Sequence, residues 1–272
     1  MKYKYSNIAL IVGASSGVGK VCAKHLHDSG YKVYGTSRYA TFVNNDGIDK
    51  IAMIPMDVTH EDSVKEAVEY VIKREGVIGV LINCPGYGLA GAIEDTYIEE
   101  AKKVFDTNFF GIMSVCNAVL PYMRNQKNGL IINISSVAGL ITLPYQSMYC
   151  ASKYALESLT ECYRMETADT GIKLSLIEPG GMKTNFKREY IEKYDQSTYK
   201  EKSEHAINKM IADEIKGPGP EIVIKELKSI LNRVNPPIRK IVGVEYKLIG
   251  ILRKMLPARI TEIIISKMYG GG

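Results

Sequence analysis

Short β-branched runs alternate with longer stretches of helical periodicity through the first 180 residues. Ile8 to Val12 reads as a buried strand, Val18 to Asp28 as a helix ending at Gly30, and Tyr31 to Ser37 as the next strand. Ile51 to Met56 predicts a third strand, followed by a helix over about Glu61 to Arg74 with its cap near Thr59. Val77 to Asn83 and Leu130 to Ser135 predict further strands, separated by one long helix from about Ile98 to Met123. A second long helix, Tyr149 to Asp169, precedes a strand over Lys173 to Ile177 that stops at Pro179-Gly180. This alternation predicts an α/β fold: a doubly wound, mostly parallel sheet of Rossmann type with helices on both faces. Ligands of such sheets bind at the carboxyl ends of the strands.

After Gly180 the pattern changes. Lys183 to Ile215 is charged and helical in pattern, and Gly217-Pro218-Gly219-Pro220 ends it with a rigid turn. A helix over about Glu221 to Asn232 and a last strand or turn near Arg239 to Val244 follow. Tyr246 to Met268 predicts one or two short helices parted near Pro257. This part is too short for a second catalytic domain. The reading is one domain over residues 1–272, with 183–217 as a substrate lid and 246–272 as a C-terminal cap.

Composition narrows the setting. An apolar content of 46% excludes intrinsic disorder. Five cysteines without a CxxC, and only four histidines, argue against a disulfide scaffold or a structural zinc site, so no metal is expected. The apolar run near the start is short and lacks a cleavage site, so a secretory leader is not expected. Ile241 to Leu256 is broken by Glu245, Lys247, Arg253 and Lys254, so no transmembrane segment is expected and the chain reads as soluble and cytoplasmic. The net charge of +5 concentrates in a basic tail with no nucleic-acid motif, so nucleic acid is not an expected partner. Loose attachment of that tail to an anionic membrane, through Leu248, Ile249, Leu252, Leu256, Ile260 and Ile264, stays open.

Gly13-Ala14-Ser15-Ser16-Gly17-Val18-Gly19 lies where the first strand meets the first helix. Glycines there allow a tight turn and close approach of backbone to a pyrophosphate, while the helix N-terminus offers free N–H groups. A lone glycine pattern is often an accidental turn; the strand–turn–helix setting favours dinucleotide binding. It is not a mononucleotide phosphate loop, because Val21 rather than Ser or Thr follows Lys20. The second strand ends in Ser37-Arg38, where a carboxylate would suit a bare ribose 2′-hydroxyl and a guanidinium suits a 2′-phosphate. NADP(H) is therefore the expected cofactor, against the plainer reading of Arg38 as a solvated cation. Asp57-Val58 can meet an adenine edge, or Asp57 can simply cap the following helix.

Tyr149 and Lys153, four apart on a helix, can share one face. A nearby ammonium favours phenolate and brings a tyrosine, ordinarily near 10, toward useful acid–base range. Ser136, after the fifth strand, can hold a carbonyl or alcohol oxygen, and Asn108 can anchor a water or a backbone bend. With 18 tyrosines in the chain a Tyr-x-x-x-Lys arises easily by chance; its placement is what raises its meaning.

Gly13, Gly17, Gly19, Asp57, Asn83 with Gly86, Asn108, Ser136, Tyr149, Lys153 and Pro179-Gly180 followed by Thr184 together resemble a classical short-chain dehydrogenase/reductase. The resemblance covers roughly residues 5–245. It implies that Tyr149 is the general acid in carbonyl reduction and the base in alcohol oxidation. Lys153 would bind the nicotinamide ribose and lower the tyrosine pKa, Ser136 would orient the reacting oxygen, and Asn108 would support a water-linked proton relay. Thr184 and the backbone at Gly180 would meet the pyrophosphate or carboxamide side of the cofactor. Hydride would pass directly between nicotinamide and substrate, and the long helices would pair copies into a homodimer or homotetramer. Two positions depart from the pattern. Val12 stands where the family has threonine, and Asn83-Cys84-Pro85-Gly86 stands for Asn-Asn-Ala-Gly. Val12 lacks a hydroxyl and Pro85 an N–H, so the paired loss can avoid an orphaned buried group.

Specificity is expected from aliphatic surface at Ala138 and Leu143 near Tyr145, from the small apolar edge at Leu89, and from Met182 and Phe186. The aromatics of the 183–217 stretch either close over a bulky ligand or pack ordinarily. The C-terminal extension and Thr36-Ser37-Arg38 resemble the branch containing 17β-hydroxysteroid and retinol dehydrogenases. The expected activity is NADP(H)-dependent interconversion of a secondary alcohol and a ketone on a hydrophobic, steroid or other lipid-like substrate. A broad reductase of small ketones or aldehydes is the alternative. A non-catalytic dinucleotide-binding regulator is more distant, because the full Asn108, Ser136, Tyr149, Lys153 set is present.

Overall fold

The computed structural model describes residues 4–41 and 50–269. The first strand, β1 (Ile8–Val12), is buried at every position, as an unbroken apolar run inside a sheet should be. A glycine turn leads to α1 (Gly17–Asp28), then β2 (Lys32–Ser37), β3 (Ala52–Pro55), α2 (Glu61–Glu75) and β4 (Val80–Asn83). The short β5 (Gly88–Ala90), α3 (Ile98–Phe105), α4 (Gly111–Asn125) and β6 (Gly129–Ile134) follow. Next come α5 (Ser147–Glu166), β7 (Ile172–Pro179), β8 (Arg188–Tyr190), α6 (Lys200–Lys216) and α7 (Val223–Leu231). β9 (Arg239–Val242), α8 (Val244–Met255) and α9 (Ala258–Tyr269) complete the described chain.

Among the described residues, seven strands form one sheet in the order β3-β2-β1-β4-β6-β7-β9, every pair parallel. The chain winds outward through β2 and β3, returns, and winds the other way from β4, so a crevice opens where β1 and β4 part. Strand alternation divides the core between the faces. Leu10, Leu81, Ile131 and Leu174 pack under α2, α4 and α5 with Val68, Ile112 and Leu156. Ala9, Ile11, Ile82 and Ile132 face α1 and α7, against Cys22, Leu26, Leu227 and Ile230. Each fully buried Leu or Ile stabilises the fold by about 1.5–3 kcal/mol relative to exposure, which fixes which face each helix covers.

Two elements differ from the sequence expectation. The predicted long helix over Ile98 to Met123 is interrupted by a π-type segment, Asp106–Phe110. Gly111 follows it where an added Cβ would lie 2.7 Å from Val58 Cγ2, and the wider turn carries Asn108 toward the chain after β4. Hydrophobic periodicity is blind to one inserted residue. The second correction concerns Lys183 to Ile215, read as helical in pattern: it contributes β8, paired in parallel with β5 in register Gly88↔Arg188 to Ala90↔Tyr190, before α6 begins. Three-residue strands are too short to show a period.

The tail forms two helices parted at Pro257, as the spacing predicts. Residues 270–272 of the expected cap lie outside the described residues. Tyr246 of α8 accepts a hydrogen bond from the Gly181 N–H at 2.9 Å, and the Tyr269 hydroxyl of α9 donates to Asp213 of α6 at 3.4 Å. These contacts lay α8 and α9 beside the carboxyl end of the sheet. Among the described residues no helix is long and apolar enough to cross a membrane.

Candidate active site

The turn after β1 is shaped by backbone. Gly13 has φ +78°, in the left-handed region that favours glycine, and a Cβ on Gly19 would fall 2.2 Å from the Gly13 carbonyl oxygen. Only glycine lets α1 start this close to the strand. Thr36 at the end of β2 braces the turn: its hydroxyl accepts from the Gly13 N–H at 3.3 Å and its carbonyl from the Ala14 N–H at 3.0 Å. Ser16 caps α1 in extended conformation without closing a side-chain bond, and Ser15 and Ser16 are exposed. The helix N-terminus therefore faces the cleft with its donors open, a cradle that fits a pyrophosphate.

This turn opens on a cleft of about 1160 Å³ at the carboxyl ends of the strands. Of the expected cofactor residues, Gly13, Ser15, Ser16, Gly17, Val18, Gly19, Ser37, Arg38, Asp57, Val58, Gly86, Tyr149, Lys153, Pro179, Gly180 and Thr184 all line it. Arg38 is exposed, with its guanidinium carbon 5.7 Å from the Tyr39 ring centroid. Asp57 accepts from the Thr59 N–H at 3.0 Å and hydroxyl at 2.8 Å, so it makes a turn while lining the cleft. Burial works to raise its pKa, but the Thr59 bonds and the charges of His60 and Arg38 bring it below the usual value. Pro85 also lines the cleft, its nitrogen 3.5 Å from where a Gly13 Cβ would sit.

Ser136, Tyr149 and Lys153 line the same cleft side by side. Tyr149 and Lys153 lie one turn apart near the start of α5, and the buried Lys153 ammonium donates to the Ile134 carbonyl at 3.1 Å. It lies 5.9 Å from the Tyr149 ring centroid. The Ser136 hydroxyl accepts from the Ala138 N–H at 3.1 Å and lies 3.4 Å from the Pro179 carbonyl. Burial pushes the Tyr149 phenol up to about 12, with a hydrogen bond from Ser136 acting in the opposite sense. Burial also pushes Lys153 down to about 8. Burial is the largest influence on the Tyr149 phenol, and the Lys153 ammonium donates to a backbone carbonyl.

Of the expected substrate residues, Ala138, Leu143, Met182 and Phe186 line the cleft, and the Phe186 ring meets Tyr149 edge-on at 5.4 Å. Four expected site residues stand back from the cleft lining. Leu89 is buried in a side cluster with Val104 and Ile191. Tyr145 adopts φ +60°, and its carbonyl accepts from the Gly91 N–H at 3.0 Å. Asn83 is buried in the sheet, donating to Asn133 at 2.8 Å, which donates to Thr160 at 2.9 Å. Asn108 accepts from the Tyr87 N–H and donates to the Tyr87 carbonyl and the Ser152 hydroxyl, each at 3.0 Å. Its amide clamps the chain after β4, beside Gly86 and Lys153. Sequence reasoning missed Thr36, Gln146, Arg188, Glu214 and Tyr246, all in contact with or lining this region. Thr36 was findable as the polar residue closing an apolar strand; the others carry no local signal.

Comparison with known proteins agrees with this geometry. The short chain dehydrogenase family model matches residues 7–195. Over 239 residues the chain is 41% identical to the 3-ketodihydrosphingosine reductase of Bacteroides thetaiotaomicron, covering 87% of each protein. A solved short-chain dehydrogenase from Streptomyces avermitilis superposes with a TM-score of 0.82 at 29% identity, over 96% of this chain and 97% of that one. ElxO, solved with NADP bound, gives 0.72 at 26% identity over 90% and 99%. Sequence, sheet order and cleft thus lead to one conclusion: the chain belongs to the short chain dehydrogenase family and is an NAD(P)(H)-dependent oxidoreductase.

Proposed function

We propose that this enzyme uses NADPH to reduce a ketone on a long-chain, lipid-like substrate, with Tyr149 as the proton donor. The observation that carries the reading is the make-up of the cleft beyond Tyr149. Ile249 and Leu252 of α8, Leu256 just after it, and Ile264, Ile265 and Met268 of α9 line it, so an apolar lip continues from the reacting centre. Leu252, Ile264 and Met268 are also exposed, so the lip reaches the surface. A relative that shares 41% identity acts, by its name, on a ketone of a sphingoid chain. Arg38 and Ser37, with no carboxylate at the end of β2, support NADP(H), and ElxO at 26% identity binds NADP.

In this reading the glycine turn with Ser15 and Ser16 holds the pyrophosphate, Ser37 and Arg38 the 2′-phosphate, and Asp57 and Val58 the adenine edge. Thr184 and the backbone at Gly180 hold the carboxamide side. The bound dihydronicotinamide supplies the hydride. Ser136 donates to the substrate carbonyl oxygen and orients it, and Tyr149 gives its proton to that oxygen. Burial favours the protonated phenol, the form a reductive acid starts from. Lys153, still largely ammonium at pH 7, steadies the cofactor ribose and the developing negative charge. The 183–217 segment and α8–α9 close over the chain of the substrate and exclude water.

The test is an NADPH-oxidation screen, repeated with NADH, over 3-ketodihydrosphingosine, steroid ketones, retinal and short ketones. The expected result is NADPH-dependent turnover that rises with chain length. Steroid ketones or retinal reduced faster than any long-chain ketone would favour the hydroxysteroid and retinol branch. Equal turnover of short and long ketones would make the enzyme a broad carbonyl reductase.

A further inference from the structure

The two helices at the mouth of the cleft carry more apolar surface than the protein itself covers. On α8, Val244, Leu248, Leu252 and Met255 are exposed, and their spacing of four, four and three residues sets them in one stripe along the helix. On α9, Ile260, Ile263, Ile264 and Met268 are exposed in the same manner. Val244 is 81% and Met255 76% exposed, so these are not the edges of a packed face. Leu252, Ile264 and Met268 belong both to the stripes and to the cleft lining, so the stripes run up to its rim. Ile249 and Ile265, a little further round each helix, face the cleft as well. A helix apolar beyond the arc its own protein covers calls for a second apolar phase.

Charge says which phase. Residues 244–269 carry five Lys and Arg against two Glu, so three of the chain's five net positive charges sit in this short tail. Lys267 lies within the α9 stripe, three residues after Ile264, and Arg259 borders it, and both are exposed. At 3.6 residues per turn Glu262 falls on the opposite side of α9, and Glu245 lines the cleft. Lys247 is paired with Glu226 at 2.9 Å. A second copy of the chain is the poorer occupant, since a two-fold contact would set this positive segment against itself.

We propose that α8 and α9 dock the enzyme on an anionic lipid surface, with the cleft mouth turned toward the membrane. Each helix has 12 residues. That is about 18 Å at 1.5 Å per residue, so neither crosses a bilayer and both lie along it. The stripes enter the boundary between headgroups and acyl chains, and Arg259 and Lys267 meet the lipid phosphates. A lipid-like substrate then moves from the bilayer past Leu252 and Ile264 into the cleft without crossing water. The docking itself is independent of the ketone proposed above, because it needs no substrate.

The experiment sediments the full chain with vesicles of phosphatidylcholine and with vesicles of equimolar phosphatidylcholine and phosphatidylglycerol. The wild-type enzyme should bind the anionic vesicles more tightly, and less so as salt is raised. The double variant Leu248→Glu, Ile263→Glu, at positions outside the cleft lining, should weaken that binding by about tenfold or more. An unchanged NADPH fluorescence titration reports that it is folded. A second pair, Arg259→Glu with Lys267→Glu, leaves the stripes intact and should remove the preference for anionic vesicles. Wild-type enzyme that stays in the supernatant with anionic vesicles overturns the proposal, as does either pair binding them like wild type. A Leu248→Glu, Ile263→Glu variant that turns a dimer into a monomer by light scattering, with vesicle binding unmoved, assigns the stripes to a second copy and overturns it too. Each of these results leaves the ketone reading standing, since turnover of dispersed substrates decides that separately.

Discussion

The two halves of the cleft are built in different ways. The half proposed for the cofactor comes from the carboxyl ends of β1, β2 and β4 and the turns that follow them, and much of it is main chain: the Gly13–Gly19 turn, the open end of α1 and the Thr36 brace. The half proposed for the substrate is side chain, drawn from Gln146, β8, α6, α8 and α9, which lie far apart in sequence. A backbone cradle must be written locally, because it needs glycine at particular turns. A side-chain pocket needs only that remote segments arrive together, and many residues can serve. Tyr149 and Lys153 form the seam between the two.

The largest expected effect is at that seam. Tyr149→Phe should lower kcat/KM by about a thousandfold, within the range for loss of a positioned general acid, and leave NADPH binding near wild type. Near-normal turnover would place the proton elsewhere and dissolve the seam. Within the cofactor half, Arg38→Glu should shift preference from NADPH toward NADH by about ten- to hundredfold, read as the ratio of kcat/KM values. If the halves are as separate as their construction suggests, the same variant leaves the KM for ketone largely unmoved. In the substrate half, Ile249→Asp should raise the KM for a long-chain ketone about tenfold without altering NADPH affinity. A parallel loss of cofactor affinity would show that α8 serves both halves.

A smaller effect concerns stability. Burial holds Lys153 at about 8, below its unfolded value of 10.5, so the unfolded chain binds more protons between those values. Its contribution therefore destabilises fully below pH 8 and is relieved as pH rises toward 10. The slope is at most about 1.4 kcal/mol per pH unit. Lys153→Met should lack that rise, and denaturant titrations at pH 7, 8, 9 and 10 would measure the difference.

Legibility follows the same division. The alternation of strands and helices, the glycine turn, Ser37-Arg38 and the Ser136, Tyr149, Lys153 set could be read from the chain, because each sits at a junction that local pattern marks. The π-type segment at Asp106–Phe110 could not, since one extra residue in a helix hardly changes its periodicity. Leu89 and Tyr145 looked like pocket edges from their apolar surroundings, yet one is packed against Val104 and Ile191 and the other serves through its backbone. Asn108 was read as an anchor for a water or a backbone bend; its amide is bonded to Tyr87 and Ser152, partners the local pattern does not name.

By itself the sequence determined the doubly wound sheet, the glycine turn after β1 and the placing of Tyr149 and Lys153 one helical turn apart, because strand period, glycine φ and i,i+4 spacing act over a few residues. Only tertiary structure decided that Arg188 would hold Glu214 across the cleft with a donor to spare, and that Gln146 would be buried beside them. It also decided how deeply Tyr149 and Lys153 are buried, which raises the proton affinity of the phenol and lowers that of the amine. Desolvation and long-range pairing depend on what surrounds a group in space, and neighbours in the chain do not specify that.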